Sequence, residues 1–478
     1  MADEREAVDA AFDAARFQEL GHRLVDSLAE HLRQAQRGAM PVLPWVEPDE
    51  QVRQWSAEFA GGADPLALLE RVIAGSNHLQ HPRYVGHQVT PALPLAALCH
   101  LVATFLNSAT AVYEMGPVAT AMERLCAGWM ARQLGWSEAA DGVFTSGGSL
   151  GNLTALLAAR QARAGYDVWS EGEAGRPPLA VLVGAQAHYS VARALQILGL
   201  GRDGAVPVAV DDRFRLDPAD LAPALRRAEA AGRQVFAVVA SSCSTATGAF
   251  DPLEPVADFC ELAGLWLHID GAHGASAALC PTERHLLAGI ERADSVVWDA
   301  HKMMLLPALC TAVLFRDGRR SFEAFAQEAS YLLHRHDPSE EWYNLCGRTF
   351  ECTKPMMALP LYVALATYGE GMFGSHVGSR FALGRQFGRL LAEAPDFELP
   401  VMPTANIVCF RYRPAGVSDL DGLQAEVRRR ILAEGSFYLV QTRLPDGIYL
   451  RVTLIQPRTA LADLEELLET VRRLAPKP

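Results

Sequence analysis

Residues 265–277 read LWLHIDGAHGASA, and residues 295–309 read SVVWDAHKMMLLPAL. Each opens on a short apolar and aromatic run of strand length and then breaks, in the first case into small residues. PPLAVLVGAQAH at 177–188, QVFAVVASSCS at 234–244 and TAVLFRD at 311–317 repeat the pattern. Stretches with helical spacing, at 153–164, 218–231 and 255–263, separate several of these runs, and another helix is predicted to start near Ser190. Buried strands alternating with helices predict a mainly parallel sheet covered on both faces, hence an α/β core.

Working outward, residues 9–37 place apolar groups at helical spacing among charges, and GAMPVLPWVEPDE at 38–50 breaks the pattern with three prolines. Residues 1–75 therefore read as a helical arm and linker, and residues 76–368 as the large domain. Beyond the helical stretch 354–368, ANIVCFRYRP, GIYLRVTLI and an amphipathic helix at 460–474 predict a small α+β domain over 369–478.

The 478 residues are 50% hydrophobic, enough for about three domain-sized units and too apolar for a disordered chain. A net charge of −13 opposes nucleic acid or an anionic membrane as the main partner, which leaves a small-molecule site as the starting point. Nine scattered cysteines without a CxxC pair read as reduced thiols in a cytoplasmic protein. The acidic N-terminus lacks the pattern of a secretion signal, and the longest apolar stretch, 93–106, is too short to span a bilayer.

Only three of the 43 basic residues are lysine: Lys302, Lys354 and Lys477. A lysine kept against that bias suggests chemistry a guanidinium cannot do, above all imine formation through a primary amine. Lys302 follows a predicted strand among Trp298, Met303, Met304, Leu305 and Leu306, a setting that predicts a desolvated amine of lowered pKa. Asp270 stands at the C-terminal end of another strand, where open α/β sheets bind ligands, or else caps the next helix. FTSGGSLGNLTALLAAR, residues 144–160, offers small residues ahead of a helix, as a phosphate cup or as a plain glycine turn. Phosphate cup, strand-end aspartate and lysine together describe a site for pyridoxal 5'-phosphate.

With HPRYVGH, VYEMGPVATAMER, TSGGSLGN, AHYSVARA, HIDGAHG, DAHKMM and YLRVTLIQPRT in order, the chain resembles the group II pyridoxal phosphate-dependent amino-acid decarboxylases. That resemblance implies an aminotransferase-like, fold type I large domain, an N-terminal arm, a small C-terminal domain and an intertwined homodimer with shared active sites. It further implies Lys302 as the Schiff-base lysine, Asp270 as the partner of the pyridinium nitrogen, and His188 and Ala272 on the two faces of the ring. Gly148 and Ser149 would hold the phosphate with His301 and Arg348 nearby, and Thr245 would approach the phenolic oxygen. His87, Gln88 and Thr90 would line the substrate pocket, Arg451 would receive the α-carboxylate, and Tyr331 would protonate Cα. Plainer roles stand beside these: His188 as a helix-start residue, Arg451 in a surface ion pair, Arg348 and Lys354 securing a domain joint, and Tyr331 as a packing residue. Related sequences commonly carry glutamate at Leu150 and Gly-Thr-Thr at Cys243, Ser244 and Thr245.

The expected reaction is α-decarboxylation of an L-amino acid to its amine and carbon dioxide, with VYEMGPVATAMER closer to the acidic and diaminobutyrate branch than to the aromatic one. The alternatives are an aromatic amino-acid decarboxylase, an oxidative deaminase giving an aldehyde, and a catalytically silent cofactor-binding regulator.

Overall fold

The structure is a computed structural model that describes residues 2–56, 59, 61–325 and 342–476. Two compact units emerge from the contacts: residues 88–390 with 399–409, and residues 1–87 with 391–398 and 410–478. The first 87 residues are thus grouped with the C-terminal segments.

The larger unit is built on seven strands: β1 (Asp141–Thr145), β2 (Leu179–Gly184), β3 (Ala205–Val208), β4 (Gln234–Ser241), β5 (Trp266–Asp270), β6 (Ser295–Asp299) and β7 (Thr311–Phe315). Their order is β1-β7-β6-β5-β4-β2-β3. β7 runs antiparallel to both neighbours, and the pairs β2–β3, β2–β4, β4–β5 and β5–β6 are parallel. Residues of β2, β5, β6 and β7 are buried throughout, as strands covered on both faces must be. One core cluster joins Val143, Val181, Phe236, Trp266 and Val313 of the sheet to Leu156 and Leu195 of the helices Gly148–Arg163 and Tyr189–Ile197. Each such large side chain contributes about 1.5–3 kcal/mol by leaving water.

Strand register brings distant residues to one edge. Ser241 pairs with Asp270, Asp299 with Thr311, and Thr311 with Thr145, so that edge of the sheet gathers the ends of β1, β4, β5 and β6 and the start of β7. The helix expected over 153–164 begins at Gly148, because Gly147, at φ +129°, turns the chain directly into it.

In the smaller unit the helices Ala14–Gln36 and Pro65–Gly75 precede the strands β8 (Phe397–Glu398), β10 (Val440–Leu444) and β11 (Gly447–Thr453); with β9 (Ile407–Tyr412), whose first three residues are grouped with the larger unit, they are ordered β10-β11-β9-β8. Val85 accepts a hydrogen bond from the Thr453 amide at 2.7 Å and donates to Tyr438 at 3.0 Å, while Tyr84 stacks on Tyr438. No helix among the described residues is long and apolar enough to cross a membrane.

Candidate active site

At the gathered sheet edge lies a cavity of about 270 Å³. Its lining brings together Gly148, Ser149, His188, Thr245, Asp270, Ala272, His301 and Lys302, eight residues that the sequence singles out. Asp270 ends β5, Lys302 lies in the connection from β6 to β7, His188 is the N-cap of the helix Tyr189–Ile197, and Gly148 opens the helix Gly148–Arg163, which has no side-chain cap.

Asp270 is held by two donors, Asn152 Nδ2 at 3.0 Å and the Ala272 amide at 3.2 Å. Asn152 Nδ2 also donates to Ser190 Oγ at 2.9 Å, and Ser190 Oγ meets His188 Nδ1 at 2.8 Å. Behind Asn152, its Oδ1 meets His268 Nε2 at 3.0 Å, and His268 Nδ1 meets Ser295 Oγ, which takes the Trp266 indole N–H. One buried amide thereby fixes both the carboxylate and, through Ser190, the imidazole. Burial pushes the His188 pKa down, and the Lys302 charge adds to this against the pull of Asp270, so His188 is neutral near pH 7.

Lys302 corrects one expectation. Burial depresses its pKa, but the Asp299 and Asp270 carboxylates and the hydrogen bond to Asp299 outweigh it, and the net shift is upward. Asp299 Oδ2 lies 2.9 Å from Lys302 Nζ, and Thr311 Oγ1 donates to Asp299 Oδ1 at 2.7 Å. Burial raises the Asp299 pKa, yet the Lys302 and His301 charges and its hydrogen bonds hold it below the usual value, so the pair is ionised.

Other expected site residues are not among those lining the cavity. Arg348 is buried at the opposite end of β1, bound to Asp141 Oδ2 and Ser321 Oγ at 2.9 Å each, and is not among the cavity-lining residues. Gln88 and Thr90 belong to the larger unit outside that lining; Gln88 Nε2 and Thr90 Oγ1 are buried without a hydrogen-bond partner among the described residues. His87 and Arg451 belong to the smaller unit, where desolvation and the Arg451 and Arg428 charges lower the His87 pKa. Tyr331 lies outside the described residues. Sequence reasoning gives no role to Asp299, Ser190 or His268 and counts Asn152 only within the glycine-rich cup, although Asp299 stands in plain view three residues before Lys302 in DAHKMM.

The donor set fits pyridoxal phosphate: a primary amine, a strand-end carboxylate and an uncapped helix N-terminus converge on one cavity. At Gly148 a Cβ would come within 3.2 Å of both Asp299 carboxylate oxygens, a contact tight enough to favour glycine at the floor of the cup. Among the described residues no cluster of side chains suits a metal ion.

A family described as the pyridoxal-dependent decarboxylase conserved domain matches residues 69–413. Human cysteine sulfinic acid decarboxylase is 32% identical over 450 residues, 91% of each chain. The aromatic-L-amino-acid decarboxylase of Bacillus atrophaeus is 27% identical over 471 residues, 97% of this chain and 96% of that one. A crystal structure of mouse CSAD matches with a TM-score of 0.89 at 28% identity, over 97% of this chain and 99% of that one.

Proposed function

The chain belongs to the pyridoxal-dependent decarboxylase family and is a pyridoxal 5'-phosphate-dependent amino-acid decarboxylase, and from that premise we propose that its substrate is an acidic L-amino acid. The observation that carries the substrate class is the 32% identity to human cysteine sulfinic acid decarboxylase, against 27% to an aromatic-L-amino-acid decarboxylase, and the Arg451 and Arg428 charges acting on His87 suit a doubly anionic substrate better than an indole or a phenol. Cysteine sulfinic acid, named for the human relative, is such a substrate.

When bound, pyridoxal phosphate supplies an electron-withdrawing ring that accepts the electron pair released as carbon dioxide leaves. In this reading Lys302 anchors the cofactor covalently and Asp270 keeps a proton on its ring nitrogen. The bonds from Asn152 and Ala272 aim that carboxylate, and neutral His188 covers one face of the ring opposite Ala272. The N–H groups of Gly148 and Ser149 meet the phosphate with the positive end of their helix dipole. Arg451 takes the α-carboxylate, and His87, Gln88 and Thr90 shape the pocket around the side chain. Tyr331 gives the proton that Cα needs after decarboxylation. The proposal extends to a homodimer, supported by Leu98, Leu101, Val102, Phe105 and Leu106 lying exposed on the one helix Pro94–Leu106. A cytoplasmic location is supported by the nine free thiols.

A panel of acidic, basic and aromatic amino acids, assayed for amine and carbon dioxide, tests the substrate class. Amine from an acidic substrate is expected, and turnover restricted to aromatic ones would overturn it. With the active substrate, Tyr331→Phe is expected to release carbon dioxide without a matching yield of amine, the difference appearing as aldehyde. Unchanged amine yield and rate would assign the proton to another group.

A further inference from the structure

We propose that Asp299 is a latch on Lys302: its buried carboxylate holds the lysine nitrogen at 2.9 Å, and cofactor loading has to break that contact. This rests on Lys302 being the cofactor's anchor. Carbon–nitrogen bond formation needs a lone pair on Lys302, so the ammonium first gives one proton to solvent. The amine then adds to the aldehyde carbon of pyridoxal phosphate, and the carbonyl oxygen departs as water with the two remaining amine hydrogens as the C=N bond forms. An ion pair that stabilises the ammonium opposes the first of these steps.

The geometry makes the carboxylate a fixed partner rather than one that follows the lysine. Asp299 ends β6 and pairs with Thr311 in the β6–β7 ladder, the Thr311 hydroxyl clamps Oδ1 at 2.7 Å, and the Asp299 amide donates to Ala272 at 3.1 Å. Oδ2 is left facing Lys302 at 2.9 Å, with His301 Nε2 at 3.6 Å. The other titratable groups acting on Lys302 are Asp270, His188 and Cys243, and among the described residues Asp299 is the one in ion-pair contact. Both carboxylates favour the ammonium and His188 is neutral, so the amine stays protonated despite partial burial.

The same carboxylate borders the phosphate cup, since both its oxygens lie 3.2 Å from where a Gly148 Cβ would stand. Repulsion of the phosphate would also slow loading, so the test needs a probe without that group. Cofactor-stripped full-length protein, wild type and the Asp299→Asn and Asp299→Ser variants, is mixed with pyridoxal phosphate or with pyridoxal. The growth of visible absorption is followed from about pH 6 to about pH 9, and borohydride followed by peptide mapping locates the attachment. Both variants are expected to load with either probe about tenfold faster or more near neutral pH, the factor that one pH unit carries for a titrating amine. The difference from wild type should shrink toward high pH.

Unchanged or slower loading by both variants overturns the latch, and so does acceleration with pyridoxal phosphate but not pyridoxal, which assigns the effect to phosphate repulsion. Wild type alone gives an independent reading: its rate should rise about tenfold per pH unit through about pH 9, and a plateau below about pH 8 overturns the proposal even if neither variant folds. Attachment elsewhere than Lys302, or none in any protein, overturns the anchor assignment and the latch with it, a result distinct from equal rates at a labelled Lys302.

Discussion

Lys354 is buried and Lys302 half-buried, and their partners separate their uses. Lys354 Nζ pairs with the Glu123 carboxylate and donates to Phe144 O at 2.7 Å, while the Phe144 amide returns a bond to the same carboxylate at 2.9 Å. It ties the helix Pro117–Gln133 to β1 and is not among the residues lining the site cavity. Lys354→Met would strand the Glu123 charge and is expected to cost about 3–5 kcal/mol in denaturant unfolding, much of it recovered by adding Glu123→Gln. A loss in the double variant as large as in the single one would contradict this. The rarity of lysine marks both residues in the sequence, but their partners decide their roles, and Glu123 lies 231 residues from Lys354. Asn152 is hidden in the sequence for the same reason, since its bond to Asp270 spans 118 residues. Cys243 gains meaning only from backbone: at φ +67° it occupies the conformation that a glycine adopts freely and that costs an L-residue roughly 1–2 kcal/mol.

Among elements, strands and their order of appearance are legible because apolar runs of strand length bounded by breakers have few other readings. The 24-residue helix Glu370–Glu393 is not, since its glycines argue against a helix on propensity alone. Packing supplies the reason for them. A Cβ at Gly374 would lie 2.2 Å from Leu279 O, and one at Gly384 would lie 2.0 Å from Ala405 O, so the helix lies directly on neighbouring backbone. Gly371, by contrast, has nothing within 4 Å of that position. Gly384→Ala is therefore expected to destabilise by about 3 kcal/mol, and Gly371→Ala to stabilise by about 0.5–1 kcal/mol. Equal effects in thermal or denaturant unfolding would show that propensity rather than close approach governs this helix.

For the molecule as a whole, buried histidines set the response to acid. Burial lowers the pKa of His81 and His268 to about 4 and that of His376 to about 3. Below about pH 6.5 the unfolded chain takes up protons that the native chain refuses, so stability falls with pH by about 1.4 kcal/mol per pH unit for each histidine. Asp251, raised to about 6 by burial, opposes this with a single group, because the native chain keeps a proton that the unfolded one releases. The lowered His87 and His188 act in the same direction, and the balance of the histidines against this one aspartate predicts stability that declines from about pH 6.5 toward about pH 4. His376→Leu should reduce that slope by about 1.4 kcal/mol per unit in urea titrations at a series of pH values, and an unchanged slope would contradict the assignment. At the same scale, Phe105→Glu on the exposed helix is expected to shift the mass by light scattering from twice that of the chain to one, whereas a dimer unaffected by it would move the interface elsewhere.

The reversed direction of β7 has a consequence for the order in which the site comes into being. Because β7 returns beside β6, Lys302 sits in an eleven-residue connection whose ends are zipped together at Asp299 and Thr311. Closing so short a loop costs little entropy and needs no distant partner. The cup and the Asn152 bond to Asp270 require chain segments more than a hundred residues apart to meet. A folding chain can therefore bring Lys302 and Asp299 together before it owns anywhere to put a phosphate. Pyridoxal phosphate arrives as ballast on a finished hull rather than as a mould, deepening the native state by mass action while leaving the early course of folding untouched.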